Sequence, residues 1–287
     1  MGSRNFYFNW FIIIPSVLLL TFGLATLLSI DTKSFYQQLL FAGVGVGALL
    51  FFSKVDFSLY QYIDRFLYIG GILFLLVSYL GPNVRGATRW LVIGEFQLQP
   101  SELFKPFFLV SIASLMLRYP PTKWRNIIAH AVLFIIPFLI VLKQPDLGSA
   151  LVYASTWIAI ILMAGIPLRY IAGAVVSAII LIPTSYELLW EYQKLRILTF
   201  INPLLDPRGA GYNAIQSMIA VGSGKLFGRG FGRGTQSLLQ FLPERHTDFI
   251  FATFTEEFGF LGALILLAAF FFLLLQIIKL GSSRDSQ

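Results

Sequence analysis

Apolar runs close to twenty residues long recur along the whole chain, separated by short turns that carry most of its charge. Crossing a bilayer core as an α-helix takes roughly 17 to 25 apolar residues. By that measure candidate spans lie near 10–30, 36–53, 60–80, 102–118, 127–143, 148–165, 168–186 and 248–279. Lipid offers no partner to backbone N–H and C=O groups, so each run must satisfy its own as a helix. The expected fold is all-α: a polytopic membrane helix bundle of about eight transmembrane helices in one membrane domain over 1–287. Composition agrees, since 57% of residues are hydrophobic and only 12% charged, with 29 Phe, too little polar surface to cover a water-soluble fold of this size. Pro137 and Pro183 fall inside spans, where kinks are expected. Arg4 followed by a long apolar run without an A-x-A site reads as a retained first span.

The basic residues orient the bundle. Arg4, Lys54, Arg65, Arg118, Lys123, Arg125, Arg169, Lys279 and Arg284 all fall on one side when the spans alternate, which the positive-inside rule assigns to the cytoplasm together with both termini. The opposite side holds three polar stretches: 81–101, the tight 143–149 turn, and a large outer loop over 187–247. That loop mixes Trp190, Tyr192, Leu195, Leu198 and Phe200 with Lys194 and Arg196 at helix-like spacing, the pattern of a segment lying along the membrane interface. Chemistry is expected on this outer side.

The chain has no Cys and only two His, His130 and His246, which excludes disulfides, thiolate sites, cysteine nucleophiles and a multi-histidine metal centre. Net charge is +7, but the basic residues are scattered over loops and helix ends. That distribution argues against nucleic acid and for anionic lipid or a pyrophosphate ligand. No cofactor is specified, and a divalent cation, Mg or Mn, is left open.

Glycines at 222, 224, 228, 230, 232 and 234, with Lys225, Arg229 and Arg233 among them, form a backbone able to present N–H groups and cations to an anion. A Gly-rich turn with solvated charges is the plain alternative. Gly222-Ser-Gly-Lys225 lacks the spacing and the Ser or Thr of a P-loop, which rules out ATP binding there. Asp248 stands where the last span begins, so it reads either as a helix cap or as a general base beside Arg245 and His246. Glu256 and Glu257 lie two turns deeper, where ionisable groups are costly, and read first as a structural pair with a neighbouring helix. Lys143 and Asp146 flank Gln144-Pro145 at an outer turn. Arg85 and Arg89 sit beside Trp90, and Ser101-Glu102 reads as a helix start with Lys105 just below.

In this order the strings R-G-A-T-R-W (85–90), Q-P-S-E (99–102), K-Q-P-D-L-G (143–148) and L-P-E-R-H-T-D-F-I-F (242–251) resemble the successive signatures of the SEDS family, the RodA, FtsW and SpoVE group. The Lys143 and Arg245 versions look more like the RodA branch. The resemblance implies a peptidoglycan glycosyltransferase that polymerises lipid II into β-1,4 glycan strands outside the cytoplasmic membrane, beside a class B penicillin-binding transpeptidase. It further implies that Asp248 is the essential acidic residue, that Lys143 is a charge partner near it, and that Trp90 lines the site. Arg85, Glu102, Lys105 and Arg245 match other motif positions. Family members have ten spans, the last two carrying a segment that ends S-Y-G-G-S; the resemblance here covers the first eight. A lipid II flippase and a non-catalytic scaffold for the transpeptidase remain as alternatives at this stage.

Overall fold

The computed structural model describes residues 9–82, 88–94, 96–187, 191–239 and 241–284. Among these, α1 (Trp10–Ile30), α2 (Thr32–Phe52), α3 (Phe57–Val77), α4 (Pro100–Arg118), α5 (Trp124–Lys143), α6 (Leu147–Met163), α7 (Leu168–Glu187) and α11 (Ile250–Arg284) fall on the eight expected spans. Six helical stretches are long and apolar enough to cross a membrane, those of α1, α2, α4 and α5 together with Tyr62–Leu80 and Ile250–Ser282. Of the other two, α6 has 17 residues, about 26 Å of helix, and α7 has 20. The outer loop is structured, with α8 (Glu191–Ile201), α9 (Tyr212–Ser223) and α10 (Thr235–Leu238); Trp190 lies outside the described residues. A short antiparallel hairpin, β1 (Leu91–Ile93) and β2 (Phe96–Leu98), pairs Leu91 with Leu98 ahead of α4.

The chain forms two compact units, Phe51–Ser185 and the combination of Met1–Leu50 with Tyr186–Gln287. In the first, α3, α4, α5 and α6 enclose a core of Leu75, Phe104, Phe108, Ile112, Val141 and Tyr153. Gly71 admits the Phe104 ring against α3 where a Cβ would overlap it. Phe108 meets Tyr153 edge-on at 5.0 Å, the favoured aromatic geometry. Polar bonds tie the helices where lipid supplies no hydrophobic drive: Tyr68 donates to the Leu133 carbonyl at 2.7 Å and Gln144 to Ser78 Oγ at 2.8 Å.

In the second unit α1 and α9 pack on α11, with Phe22 against Phe254 at 5.2 Å. α11 is broken at Gly259, whose φ of 71° and ψ of −171° lie outside any helix. The break strands backbone groups, and the Gly-rich segment before it takes them up. Arg229 and Gly230 N–H donate to the Glu256 and Glu257 carbonyls at 2.9 and 3.0 Å, and Phe260 and Leu261 N–H donate to the Lys225 and Leu226 carbonyls at 2.8 and 3.1 Å. Gly228 lies so near the Glu257 carbonyl that a Cβ has no room.

Candidate functional site

The turn preceding α11 is drawn tight by Thr247 and Phe249 N–H, both donating to the Glu244 carbonyl at 3.3 and 3.1 Å. Helix begins only at Ile250, and the Thr247 hydroxyl donates to Glu244 at 3.3 Å. Asp248 is exposed and its carboxylate has no hydrogen-bond partner among the described residues. The capping alternative thus loses its support. Asp248 instead borders an open cavity of about 420 Å³ whose other walls are mostly apolar, from Met218 and Val221 of α9 and Phe249, Phe251 and Ala252, with Ser217 beside them. Arg245 lies in the same turn; its carbonyl accepts from Thr253 at 3.3 Å, and its Nε is buried without a partner. An unengaged carboxylate at the edge of a largely apolar cleft is equipped to take a proton from a hydroxyl.

The unit Phe51–Ser185 gathers a second group of motif residues. Asp146 caps α6 by accepting from Ser149 N–H at 3.1 Å, pairs with Arg89 at 3.7 Å and accepts from Gln99 at 2.6 Å. Ser149 donates to Glu102 at 3.1 Å, Glu102 pairs with Lys105 at 2.6 Å, and Tyr153 donates to the Ser101 carbonyl at 2.8 Å. Three of the four motif strings therefore meet through side chains in one network. Of the expected site residues, Glu102 and Lys105 belong to it. Lys143 ends α5, exposed and outside any ion pair among the described residues. Trp90 is half-buried, and its carbonyl lies against Gly81. Arg85 lies outside the described residues. The hub of the network, Asp146, was not among the expected site residues. Its signal, an Asp directly before an apolar run, reads in sequence as a cap and nothing more.

Glu256 and Glu257 are buried, and Glu257 also meets Ser29 of the neighbouring α1, but most of the bonds described for the pair come from the Gly-rich segment and α10. Glu256 accepts from Gln236 N–H at 2.9 Å, Ser237 N–H at 3.2 Å and Ser237 Oγ at 3.1 Å, and Glu257 accepts from Gly232 N–H at 3.3 Å. The amides that Gly-rich spacing seemed to offer an external anion are engaged by this chain's own carboxylates and carbonyls. The side chains of Lys225, Arg229 and Arg233 remain exposed. Among the described residues no group of three or more His, Asp or Glu side chains could hold a metal ion.

Residues 5–287 match the FtsW, RodA and SpoVE family of cell cycle proteins. The chain belongs to that family. It is 39% identical over 236 residues to the peptidoglycan glycosyltransferase MrdB of Escherichia coli, covering 81% of this chain and 64% of the relative. It thus spans a little under two thirds of that relative's length. The stage V sporulation protein E of Bacillus subtilis is 34% identical over 303 residues, covering 94% of this chain and 78% of the relative. A chain of a peptidoglycan synthase complex, solved for its coordination of polymerization and crosslinking, superposes with a TM-score of 0.82 at 26% identity, covering 97% of this chain and 80% of that one. In this FtsW, RodA and SpoVE chain, the strings ending at Trp90, Glu102 and Gly148 fall in one unit and the string carrying Asp248 falls in the other.

Proposed function

We propose that this chain is a peptidoglycan glycosyltransferase that polymerises lipid II into β-1,4 glycan strands during cell elongation and shape maintenance. The observation that carries the reading is Asp248: in a chain of this family, it is an exposed carboxylate without a partner at the edge of an apolar cleft. Asp248 takes the proton of the acceptor's sugar hydroxyl as its oxygen bonds to the donor's anomeric carbon. The bond from that carbon to the polyprenyl pyrophosphate breaks, and the pyrophosphate leaves with the electron pair. A β-link from an α-linked donor is a single inverting displacement, so no enzyme nucleophile takes part. Lys143, Arg245 and Arg85 are assigned to the charge gathering on the leaving pyrophosphate, Trp90 to the wall of the site, and Glu102 with Lys105 to positioning the first outer loop. Where Mg or Mn is used, Asp248 and phosphate oxygens suit its preference for few carboxylates and substrate phosphate.

The chain is placed in the bacterial cytoplasmic membrane with both termini cytoplasmic and the reaction outside, working beside a class B penicillin-binding transpeptidase. The carrier alternative rested on buried charges at membrane depth. Glu256 and Glu257 are tied to the Gly-rich segment and Lys105 to Glu102, which leaves that alternative without its motive. Purified protein with its transpeptidase is incubated with labelled lipid II, and glycan strands are resolved on a gel. Wild type makes long strands, and Asp248→Asn is slower by about 10²- to 10⁴-fold with an unchanged melting temperature. Full polymerisation by a folded Asp248→Asn variant would overturn the assignment, and no strands from wild type in that complex would overturn the function.

A further inference from the structure

A separate polar cluster lies within the membrane spans of the unit Phe51–Ser185, away from every residue assigned above. Asp64 of α3 is 2% exposed. Its Oδ2 accepts from Ser114 Oγ at 2.7 Å and pairs with Arg118 at 3.2 Å, while Ser111 Oγ donates to its carbonyl at 3.0 Å. A buried carboxylate in a span is costly unless it is paired. Here it locks α3 to α4 and fixes the Arg118 guanidinium at the surface of the helix pair. The next residue, Arg65, is exposed and has no ion-pair partner among the described residues.

Both arginines line one cavity of about 630 Å³, with Tyr62 and Phe66 at its mouth. A second cavity of about 370 Å³ shares Arg65 and Ile69 with the first and runs on between apolar walls of Ile112, Leu115 and Leu133. The two adjoin at Arg65 and Ile69 and make a groove against α3, with the arginines at one end and Ile112, Leu115 and Leu133 beyond them; Asp64, Tyr68 and Ser111 also line the second cavity. From Arg118 back to Ser111 the apolar stretch is about 10 Å of helix. Asp64 cancels Arg118, so the mouth carries one uncompensated positive charge. Arg118 also keeps N–H donors free of its single contact with Asp64. The charged end lies in the third turn of α3 and at the end of α4, toward the connecting turns that carry Lys54 and Lys123.

We propose that this groove is a binding site for one anionic phospholipid of the leaflet on that face. Its phosphodiester, with a single negative charge, sits between Arg65 and Arg118, and an acyl chain runs along Ile69, Ile112 and Leu115. A free phosphate would leave the apolar length unused, and a zwitterionic lipid brings its own cation to a mouth that already has one.

Native mass spectrometry of the whole purified chain, titrated with phosphatidylglycerol, phosphatidylcholine and inorganic phosphate in turn, tests the site. One phosphatidylglycerol is retained in preference to both others. Arg65→Gln weakens its binding about fivefold, the loss of one basic side chain at an anionic surface. Lys123→Gln removes the same charge from the same face outside the groove and leaves binding unchanged. Leu115→Trp fills the apolar length and weakens retention with no change of charge. Equal losses in Arg65→Gln and Lys123→Gln would mean diffuse attraction and overturn the proposal, as would equal retention of phosphatidylcholine. Phosphate binding as well as the lipid would reduce the site to an anion patch. Arg65 is exposed and unpaired, so melting temperature verifies that its variant is folded.

Discussion

Asp31, Asp248 and Glu256 present the same functional group in three hydrogen-bonding states, and each state sets a different consequence for mutation. Glu256 is fully buried and accepts from two amides and a serine hydroxyl at the start of α10. In Glu256→Gln one of the two acceptor oxygens becomes an NH₂ facing a donor. A loss of about 2–3 kcal/mol follows, measurable as a fall in the thermal midpoint; an unchanged midpoint would contradict the bonding described. Asp31 sits between α1 and α2, outside the spans, and caps α2 through the Lys33 and Ser34 amides at 3.1 Å each. The Ser34 hydroxyl does most to hold its carboxyl below the usual range; burial pushes the other way, and the two amides and the His246 charge add to the lowering. A carboxyl depressed in the folded state contributes stability that is full above its unfolded value and is lost as pH falls through the folded one. Asp31→Ala is therefore less stable than wild type at neutral pH, and the gap narrows as melting is followed into acid below the ordinary Asp range. A gap independent of pH would rule this out. Asp248, with no partner to lose among the described residues, is the one of the three whose change should leave stability intact and, on the proposed function, alter chemistry alone. Its place in a family motif was legible, but its freedom from a partner was not, because an Asp before a helix looks in sequence like a cap whether or not it makes the bond.

At the scale of elements, apolar run length placed the eight long helices to within a few residues, because lipid imposes the same length on each of them. It could not show the break in α11. F-G-F-L-G is compatible with an unbroken membrane helix, and what opens it is a segment some thirty residues upstream whose amides and carbonyls replace those of the helix. The hairpin was also missed, although Gly94, at φ 64°, marks its turn. Pairings such as Arg89 with Asp146 have no period in the sequence and emerge only from packing. The break makes a sharp contrast within one helix. Gly259 holds backbone angles that essentially only glycine adopts, and a Cβ would meet the Gly228 N and the Leu226 carbonyl. Gly259→Ala should cost about 3 kcal/mol or more. Gly281→Ala, in the same helix with nothing within 4 Å, should be neutral or stabilising. Comparable melting of the two variants would show that the break does not depend on glycine.

For the whole molecule, the crossing to test is that of α6, with α7 returning after it, since the charge pattern and the length of α6 point in different directions. Arg169 shares the alternation of Lys54, Arg118 and Lys123 only if α6 traverses, whereas its 17 residues make about 26 Å against a hydrocarbon core of about 30 Å. A shortfall of a few ångströms is absorbed by local thinning or by flanking side chains at modest cost. Leaving a basic side chain on the outer face runs against the loop-charge bias. The charge argument outweighs the length argument, and α6 should span, with the 20-residue α7 returning across the bilayer. The chain has no cysteine, so Lys123→Cys, Arg169→Cys and Arg208→Cys can be probed one at a time in intact cells with a membrane-impermeant maleimide. Arg208→Cys should label from outside, while Lys123→Cys and Arg169→Cys should label only after permeabilisation. Labelling of Arg169→Cys from outside would make α6 and α7 a re-entrant pair. On the proposed orientation, the Asp146 network at the start of α6 and the loop beyond α7 would lie on the outer side in either case, so the proposed chemistry does not depend on which outcome is found.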